Sequence, residues 1–333
     1  MRIELVGTLA VVGAAVAWVG WWPTAAPPES SPTLSELVDE GRGGPLRPLA
    51  PLVDLDPKAV ALGRRLFGDP RLSANRKVSC ASCHHIPSGG DDARKISIGI
   101  GGVEGSINAP TVIGAALNST QFWDGRAPSL EAQVGGPIEN PLEMGSSWPA
   151  VLEAIGRDPE YVAQFEALFG GVTQAGVESA IADYERTLIP VGNRFDRYLS
   201  GDTEALSAQE RHGYDLFVSY GCASCHQGAN VGGNLFQKLG VARDYFAEQD
   251  RPVTRADLGR FNVTGRADDK HVFRVPSLRM VSQTAPYFHD GSAASLDEAV
   301  AVMARFQLGR EIPVSERVDV VAFLVSLGAE VQP

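Results

Sequence analysis

The pentapeptide Cys-Ala-Ser-Cys-His occurs twice, at residues 80–84 and 222–226, and constrains the chain more than any other feature. All four cysteines lie in these two copies, so none remains for a structural disulfide. A Cys-x-x-Cys-His motif is typical of c-type haem attachment, with two thioether bonds and a histidine that binds the iron. We predict two covalently bound c-type haems, one held by Cys80, Cys83 and His84 and one by Cys222, Cys225 and His226.

Two other interpretations of the cysteine pairs are weaker. A zinc ribbon places its pairs about 15–20 residues apart, whereas 138 residues separate Cys83 from Cys222. A thioredoxin-like redox pair does not require a histidine directly after its second cysteine. Because the same five residues recur as a unit, haem attachment explains both copies best.

Length and charge limit the class of protein. A chain of 333 residues with 44% hydrophobic residues suffices for two domains of ordinary size, each with a core. The formal net charge of −11 argues against nucleic acid as a partner. The charge says little more, because haem propionates and local patches are not included in it.

The first residues predict export. An apolar run from Leu5 to Trp22 is followed by small residues and prolines, which is typical of a secretory signal peptide or a membrane anchor. We assign residues 1–26 to this segment and residues 27–51, rich in Pro, Ser and Gly, to a linker. Export fits the motifs, because bacteria attach c-type haem outside the cytoplasmic membrane. We therefore predict a periplasmic protein.

Helical periodicity dominates the rest of the chain and strand signals are scarce, so the predicted fold class is mainly α. A helix precedes each motif, and the chain looks like two related haem modules with long loops. We place the N-terminal haem domain at 52–195 and the C-terminal one at 196–333. Thr173 is the predicted N-cap of the helix over residues 177–188. The predicted helices cover 56–67, 129–134, 149–155, 159–168, 177–188, 207–219, 296–306 and 313–327.

Several blocks occur in the order and at the spacing of one known family. The chain resembles the bacterial dihaem cytochrome c peroxidases, a family that also includes the MauG-type enzymes. The resemblance extends over residues 55–330. It implies two cytochrome c-like haem domains, with the haems near the domain interface. The matching blocks are 79–84, 121–127, 136–144, 221–226 and 273–309.

The resemblance makes the two haems unequal. It assigns the peroxide-reacting haem to the first motif and the electron-transfer haem to the second. In the peroxidases a methionine is the second ligand of the electron-transfer iron, and Met303 stands at that spacing, fourteen residues after His289. Thioether ligation raises a haem potential, which suits an electron acceptor. Without the resemblance, Met303 would be interpreted as a core residue of an amphipathic helix.

The resemblance also implies catalytic residues. Glu143 matches the family's glutamate, which moves a proton from the inner to the outer oxygen of peroxide so that water can leave. Gln133 matches a pocket glutamine that helps to hold peroxide. Trp123 matches a tryptophan that lies between the haems and can relay electrons, although buried aromatic residues are also ordinary packing.

A calcium site between the modules is a further implication of the resemblance. Asn108 would bind through its side-chain oxygen, and Thr284 and Pro286 would bind through backbone carbonyls. Oxygen ligands of this kind suit a hard cation. By itself, the Asn-x-Pro sequence would indicate only a turn.

The chain departs from the family pattern at two positions. Many members carry a histidine in the glycine-rich loop that blocks the peroxide-reacting iron until the other haem is reduced. This chain has Ile100 there, and isoleucine cannot bind iron. We therefore predict an open first site that needs no reductive activation. Met280, where the family usually has asparagine, adds a second methionine to the C-terminal module.

These observations predict a peroxidase that reduces hydrogen peroxide with electrons from a small cytochrome c or a cupredoxin. The alternative is a MauG-like oxidase that modifies Trp or Tyr of a partner protein. Ile100 favours this alternative, whereas Met303 opposes it because MauG carries a tyrosine there. A third hypothesis is a dihaem electron carrier without catalysis, against which Glu143 argues. The family is commonly dimeric, so we expect a homodimer.

Overall fold

The computed structural model describes residues 44–50, 54–329 and 331. The predicted signal or anchor at 1–26 and most of the predicted linker lie outside these residues. The end of the linker is packed, since Leu46 is 1% exposed and forms a bridge with Gly228. Residues 44–50 are therefore anchored to the C-terminal half by an apolar side chain instead of forming a free linker. Among the helices described, none combines the length and apolarity that a bilayer crossing requires.

Helices form most of the regular structure, in agreement with the predicted mainly α class. Two short strands form an antiparallel pair in which Phe236 lies opposite Arg274. The helices are α1 (Pro57–Phe67), α2 (Leu130–Glu139), α3 (Trp148–Gly156), α4 (Pro159–Phe169), α5 (Gln174–Thr187), α6 (Arg194–Leu199), α7 (Ala208–Ser219), α8 (Phe261–Thr264), α9 (Leu296–Gln307) and α10 (Val314–Ser326), and the strands are β1 (Phe236–Lys238) and β2 (Val272–Arg274).

Each predicted helix is present, with bounds that agree within a few residues except in α2. That helix continues to Glu139 instead of ending at Val134. It continues past Pro137 because Ile138, which is 1% exposed, packs in the hydrophobic core. The sequence predicts helix up to about Leu199 but gives no separate bounds for α6, and it misses α8 and both strands, because elements this short carry too few residues for a periodic signal.

Side-chain caps fix where the helices begin. The hydroxyl of Thr173 accepts a hydrogen bond from the N–H of Gly176 at 3.1 Å, so the predicted cap of α5 is confirmed. At α7, Ser207 and Glu210 form a reciprocal capping box. This capping box satisfies two backbone N–H groups that the start of a helix leaves unpaired.

Two hydrophobic clusters contain most of the buried hydrophobic side chains among the described residues. The first runs from Leu62 to Leu188 in the sequence and draws on α1 to α5. The second joins Leu46 to residues between Phe195 and Leu327, with contributions from α6, α7 and α10. The predicted boundary between residues 195 and 196 falls inside α6. Phe195 is fully buried in the second cluster, so the last residue of the predicted N-terminal domain packs with C-terminal residues.

The helix before each motif crosses a later helix at a glycine. In α1, a Cβ atom on Gly63 would lie 1.7 Å from the carbonyl oxygen of Ala180 in α5. In α7, a Cβ atom on Gly213 would lie 1.9 Å from the carbonyl oxygen of Asp319 in α10. Only glycine permits these approaches, because any Cβ would overlap with the neighbouring backbone.

Four residues after each glycine, a phenylalanine contacts the motif histidine. The rings of Phe67 and His84 have centroids 6.4 Å apart, and the rings of Phe217 and His226 are separated by the same 6.4 Å. Each pair of crossing helices therefore positions one motif in the same manner. This repeated geometry supports the prediction of two related modules.

We expect Gly213→Ala to lower the free energy of unfolding by about 1–3 kcal/mol, because the added methyl group overlaps with the backbone of α10. Gly156→Ala is the matched control, since this glycine ends α3 with no heavy atom within 4 Å of its Cβ position. There the substitution should be neutral or stabilising. Denaturant unfolding measures the stability of both variants. A Gly213→Ala midpoint equal to that of the natural protein would contradict the close helix crossing.

Candidate active site

The first motif forms a single 3₁₀ turn over Cys80–Ser82. The N–H of Ser79 donates to the hydroxyl oxygen of Ser82 at 3.0 Å and closes the turn. His84 Nδ1 donates to the carbonyl oxygen of Gly90 at 3.0 Å. This bond fixes the tautomer and leaves Nε2 as the free ring nitrogen, which is the usual arrangement of a histidine that binds a metal.

Burial keeps both motif histidines neutral, the form that binds iron. It lowers the pKa of His84, and it lowers the pKa of His226 to about 4. The carbonyl of Pro276 faces the ring of His226 and partly offsets this fall. Even so, Nδ1 of His226 is fully enclosed without a well-aligned hydrogen bond to any described residue. Both histidines therefore fit the role of iron ligands.

A cavity of about 250 Å³ lies against the second motif. Its wall includes Cys222, Cys225 and His226, together with Met303 of α9. Two thiols, an imidazole and a thioether around a mostly apolar cavity fit a c-type haem with histidine–methionine ligation. The residues present therefore fit the predicted second haem.

The structure separates the two methionines of the C-terminal half. Met303 is half-buried, lines the cavity and packs with Trp123 against a cluster of aromatic residues. Met280 is 2% exposed, and its sulfur accepts a hydrogen bond from the N–H of Ala329 at 3.3 Å. Because Met280 is engaged there and does not line the cavity, Met303 is the better candidate for an iron ligand.

Glu143 stands in the loop after α2, close to the first motif. Its Oε1 accepts a hydrogen bond from Asn140 Nδ2 at 2.7 Å. Burial raises the pKa of Glu143, and the Asn140 bond and the charge of Arg126 offset only part of this rise. Burial, with smaller contributions that include the Glu143 charge, raises the pKa of Cys80 to about 12 and of Cys83 to about 11. The carboxyl group therefore lies within electrostatic reach of both cysteines.

The glycine-rich loop meets the Glu143 loop through the backbone. The N–H of Ile100 donates to the carbonyl oxygen of Glu143 at 2.7 Å, and the isoleucine is half-buried. These two positions lie 43 residues apart in the sequence. The structure therefore brings the position of the missing histidine against the backbone of the residue that carries the predicted catalytic carboxyl group.

The other two predicted catalytic residues lie on different elements. Gln133 is half-buried in the middle of α2, and its side chain forms no hydrogen bond with another described residue. Trp123 lines the cavity of the second motif, and its indole N–H donates to the carbonyl oxygen of Asn108 at 3.0 Å. Trp123 therefore links the first half of the chain to the cavity of the second, as a relay between haems requires.

The three predicted calcium ligands, Asn108, Thr284 and Pro286, line this same cavity. Asn108 is 5% exposed, and its Nδ2 donates to the carbonyl oxygen of Arg94 at 2.8 Å. This orientation leaves Oδ1 available to a cation. The backbone N–H of Asn108 donates to the carbonyl oxygen of His289 at 2.8 Å and so joins the two halves. The residues fit a calcium site at this junction.

The sequence patterns missed a buried ion network beside Trp123. His289 Nε2 donates to Asp257 Oδ1 at 2.7 Å, and Arg251 pairs with both Asp257 and Asp290. Although burial opposes ionisation, the bonds from Arg251 and His289 hold the pKa of Asp257 well below its usual range. The rings of His289 and Trp123 meet edge to face at 6.4 Å. No short motif connects these residues, because their partners are distant in sequence.

A second group that the sequence patterns missed is Glu185 in α5. Its side chain is 4% exposed, and burial raises its pKa to about 8. Its charge also contributes to the raised pKa of Cys80, so the carboxyl group lies near the first motif. The available signal was its place four residues after Ile181, on the apolar face of the helix.

Comparison with known proteins extends these observations. A family model described as di-haem cytochrome c peroxidase matches residues 57–204. Cytochrome c551 peroxidase of Nitrosomonas europaea is 44% identical over 285 residues, 85% of this chain and 84% of that protein. Cytochrome c peroxidase Ccp of Escherichia coli is 45% identical over 90% of this chain, which spans 64% of that relative's length. A solved MauG-like protein associated with microbial copper homeostasis has a TM-score of 0.73 and 27% identity, over 94% of this chain and 96% of that one.

This chain belongs to the di-haem cytochrome c peroxidase family. The family predicted from the haem motifs and the blocks around them is therefore confirmed. Membership also supports two haems, in agreement with the two motifs and the residues around them. The prediction of a haem-dependent enzyme is confirmed at the level of the family, because its relatives are named as peroxidases.

We expect Met303→His to lower the reduction potential of the second haem, because a thioether ligand raises the potential and an imidazole does not. Met280→Leu is the matched control, since its sulfur bonds to Ala329 away from the cavity wall. Spectroelectrochemical titration of the haem-loaded variants measures both potentials. An unchanged potential in Met303→His would contradict ligation by this residue.

Proposed function

We propose that this protein reduces hydrogen peroxide to water with electrons from a small periplasmic redox protein, a cytochrome c or a cupredoxin. The placement of Glu143 carries the proposal. It is a half-buried carboxyl group with a raised pKa, within electrostatic reach of Cys80 and Cys83. The second motif instead has Met303 in its cavity wall. The two motifs would therefore divide the work between chemistry and electron transfer.

Two covalently attached c-type haems would occupy the motifs. When bound, the first supplies an iron at which peroxide is reduced, and the second supplies an iron that stores and passes an electron. The first would be held by Cys80, Cys83 and His84, and the second by Cys222, Cys225, His226 and Met303.

Reduction of one hydrogen peroxide to two water molecules consumes two electrons and two protons. Glu143 accepts the proton of the inner peroxide oxygen and returns it to the outer oxygen, so that water leaves as the O–O bond breaks. The bond from Asn140 orients the carboxyl group, and the raised pKa of Glu143 makes its carboxylate a stronger base toward the peroxide proton. Gln133 would help to hold peroxide, and Trp123 would relay electrons from the second site.

Ile100 would leave the first site open in the resting protein. Its side chain has no donor atom for iron, and its N–H bond to Glu143 holds the glycine-rich loop in place. The protein would therefore reduce peroxide without prior reduction of the second haem. A calcium ion bound by Asn108, Thr284 and Pro286 would fix the junction between the two halves.

Export and assembly complete the proposal. The apolar segment within residues 1–26 and the covalent attachment of haem support a periplasmic location. Whether residues 1–26 act as a cleaved signal or an anchor, the haem-bearing part would lie outside the cytoplasmic membrane. We also propose a homodimer, on the resemblance to the family.

A MauG-like oxidation of Trp or Tyr in a partner protein is the second candidate function. Ile100 favours it, because an open first site needs no reductive activation. Met303 in the cavity wall opposes it. Rapid turnover of peroxide with reduced cytochrome c supports the peroxidase, whereas a new crosslink or oxygen atom in a protein substrate supports the alternative.

We expect Glu143→Gln to lower peroxide turnover by about 10²–10⁴-fold, because the amide cannot transfer the proton. Glu139→Gln, at the exposed end of α2, is the matched control and should retain activity. The measurement is steady-state oxidation of reduced cytochrome c, with haem spectra recorded to show that both sites are intact. Undiminished turnover in Glu143→Gln would argue against the proposed role.

The role of Ile100 predicts a resting EPR spectrum with one high-spin and one low-spin ferric haem. Ile100→His should place a ligand over the first iron and convert the spectrum to two low-spin haems. This variant should also lose activity until one electron reduces the second haem. Ile100→Leu, which has no donor atom, serves as the control. Two low-spin haems in the natural protein would refute the open site.

A further inference from the structure

Arg274, the last residue of β2, is a buried guanidinium in the cavity wall. It is 4% exposed and lines the same cavity as Cys222 and His226. Its Nε donates to the carbonyl oxygen of Phe122 at 3.2 Å. Its backbone N–H donates to the carbonyl oxygen of Trp123 at 2.9 Å. Nη1 is fully enclosed and has no hydrogen-bond partner among the described residues.

This charge has no carboxylate partner in the part of the chain that the structure describes. Burial lowers the pKa of Arg274 to about 10, so the group still carries its charge at neutral pH. Arg279 is equally buried, but its Nη1 lies 2.7 Å from Asp196 Oδ1. An isolated buried charge is strongly unfavourable. The cavity beside Arg274 should therefore receive an anion.

The haem proposed for the second motif carries such anions, because its two propionates are carboxylates. Guanidinium groups bind carboxylates well, and the guanidinium of Arg274 belongs to the cavity wall with no carboxylate partner among the described residues. We propose that Arg274 binds a propionate of the haem at the second motif and holds that edge beside Trp123. The inference rests on the proposed attachment to Cys222 and Cys225, but it does not depend on peroxide turnover.

This pairing would fix a charge next to the electron-transfer haem. With Arg274 in place, the propionate stays ionised, and reduction of the haem takes up no proton near neutral pH. Without Arg274, the buried propionate binds a proton more readily, and reduction favours this binding further. The reduction potential then falls as pH rises, because electron uptake is coupled to proton uptake.

The experiment compares the haem-loaded natural protein with Arg274→Met, Arg274→Lys and Arg305→Met. Arg305 is the matched control. It lies on α9, the helix that carries Met303, and its side chain is 44% exposed and pairs with Glu248. The potential of the low-spin haem is titrated without peroxide at about pH 6, 7 and 8, where a propionate that has lost its partner should titrate. Resonance Raman spectra report the propionate bending band.

We expect a flat potential across this range in the natural protein and in Arg305→Met. In Arg274→Met the potential should fall as pH rises, and the propionate band should shift. Arg274→Lys keeps the charge and should restore the flat profile, but its band should shift because lysine cannot form the planar contact. If Arg274→Met does not take up haem, the band of Arg274→Lys carries the test.

Two results would overturn the proposal. One is an unchanged propionate band in the variants together with a flat potential in Arg274→Met. The other is a pH dependence that appears on the high-spin haem instead of the low-spin haem. The spectra and potentials are measured without peroxide. If the protein proved not to be a peroxidase, the results expected for Arg274 would therefore be unchanged.

Discussion

Each half of the molecule depends on one close approach between two helix backbones. Gly63 lets α1 lie directly against α5, and Gly213 lets α7 lie directly against α10. One turn later in the same helices, Phe67 and Phe217 contact the motif histidines. Because packed helices have few ways to shift at such short distances, these contacts fix where each histidine stands. Helix packing therefore sets the positions of the two haem motifs.

Elements outside the paired helices make the surroundings of the two motifs different. The loop after α2 supplies Glu143 to the first motif, and the glycine-rich loop supplies Ile100 beside it. On the second side, α9 supplies Met303, and β2 supplies Arg274. Loops tolerate substitution better than packed helices do. The same helix arrangement therefore carries two motifs with different surroundings.

The sequence predicted those structural features that are determined by residues close together in the chain. The haem motifs and the long helices are of this kind, because their patterns span only a few residues or turns. Arg274 could not be predicted, since its side-chain partner Phe122 lies 152 residues away. The network of Asp257 and His289 was missed for the same reason. The place of Phe195 in the second core likewise depends on contacts that no periodicity encodes.

The isoleucine at position 100 has a consequence for the peroxide reduction that we propose. Where a ligand must first leave the iron, only the open fraction of molecules binds, and the apparent dissociation constant rises in inverse proportion to that fraction. A loop without a ligating side chain imposes no such penalty. If the first site is open as we propose, every molecule can bind peroxide without a preceding change of shape.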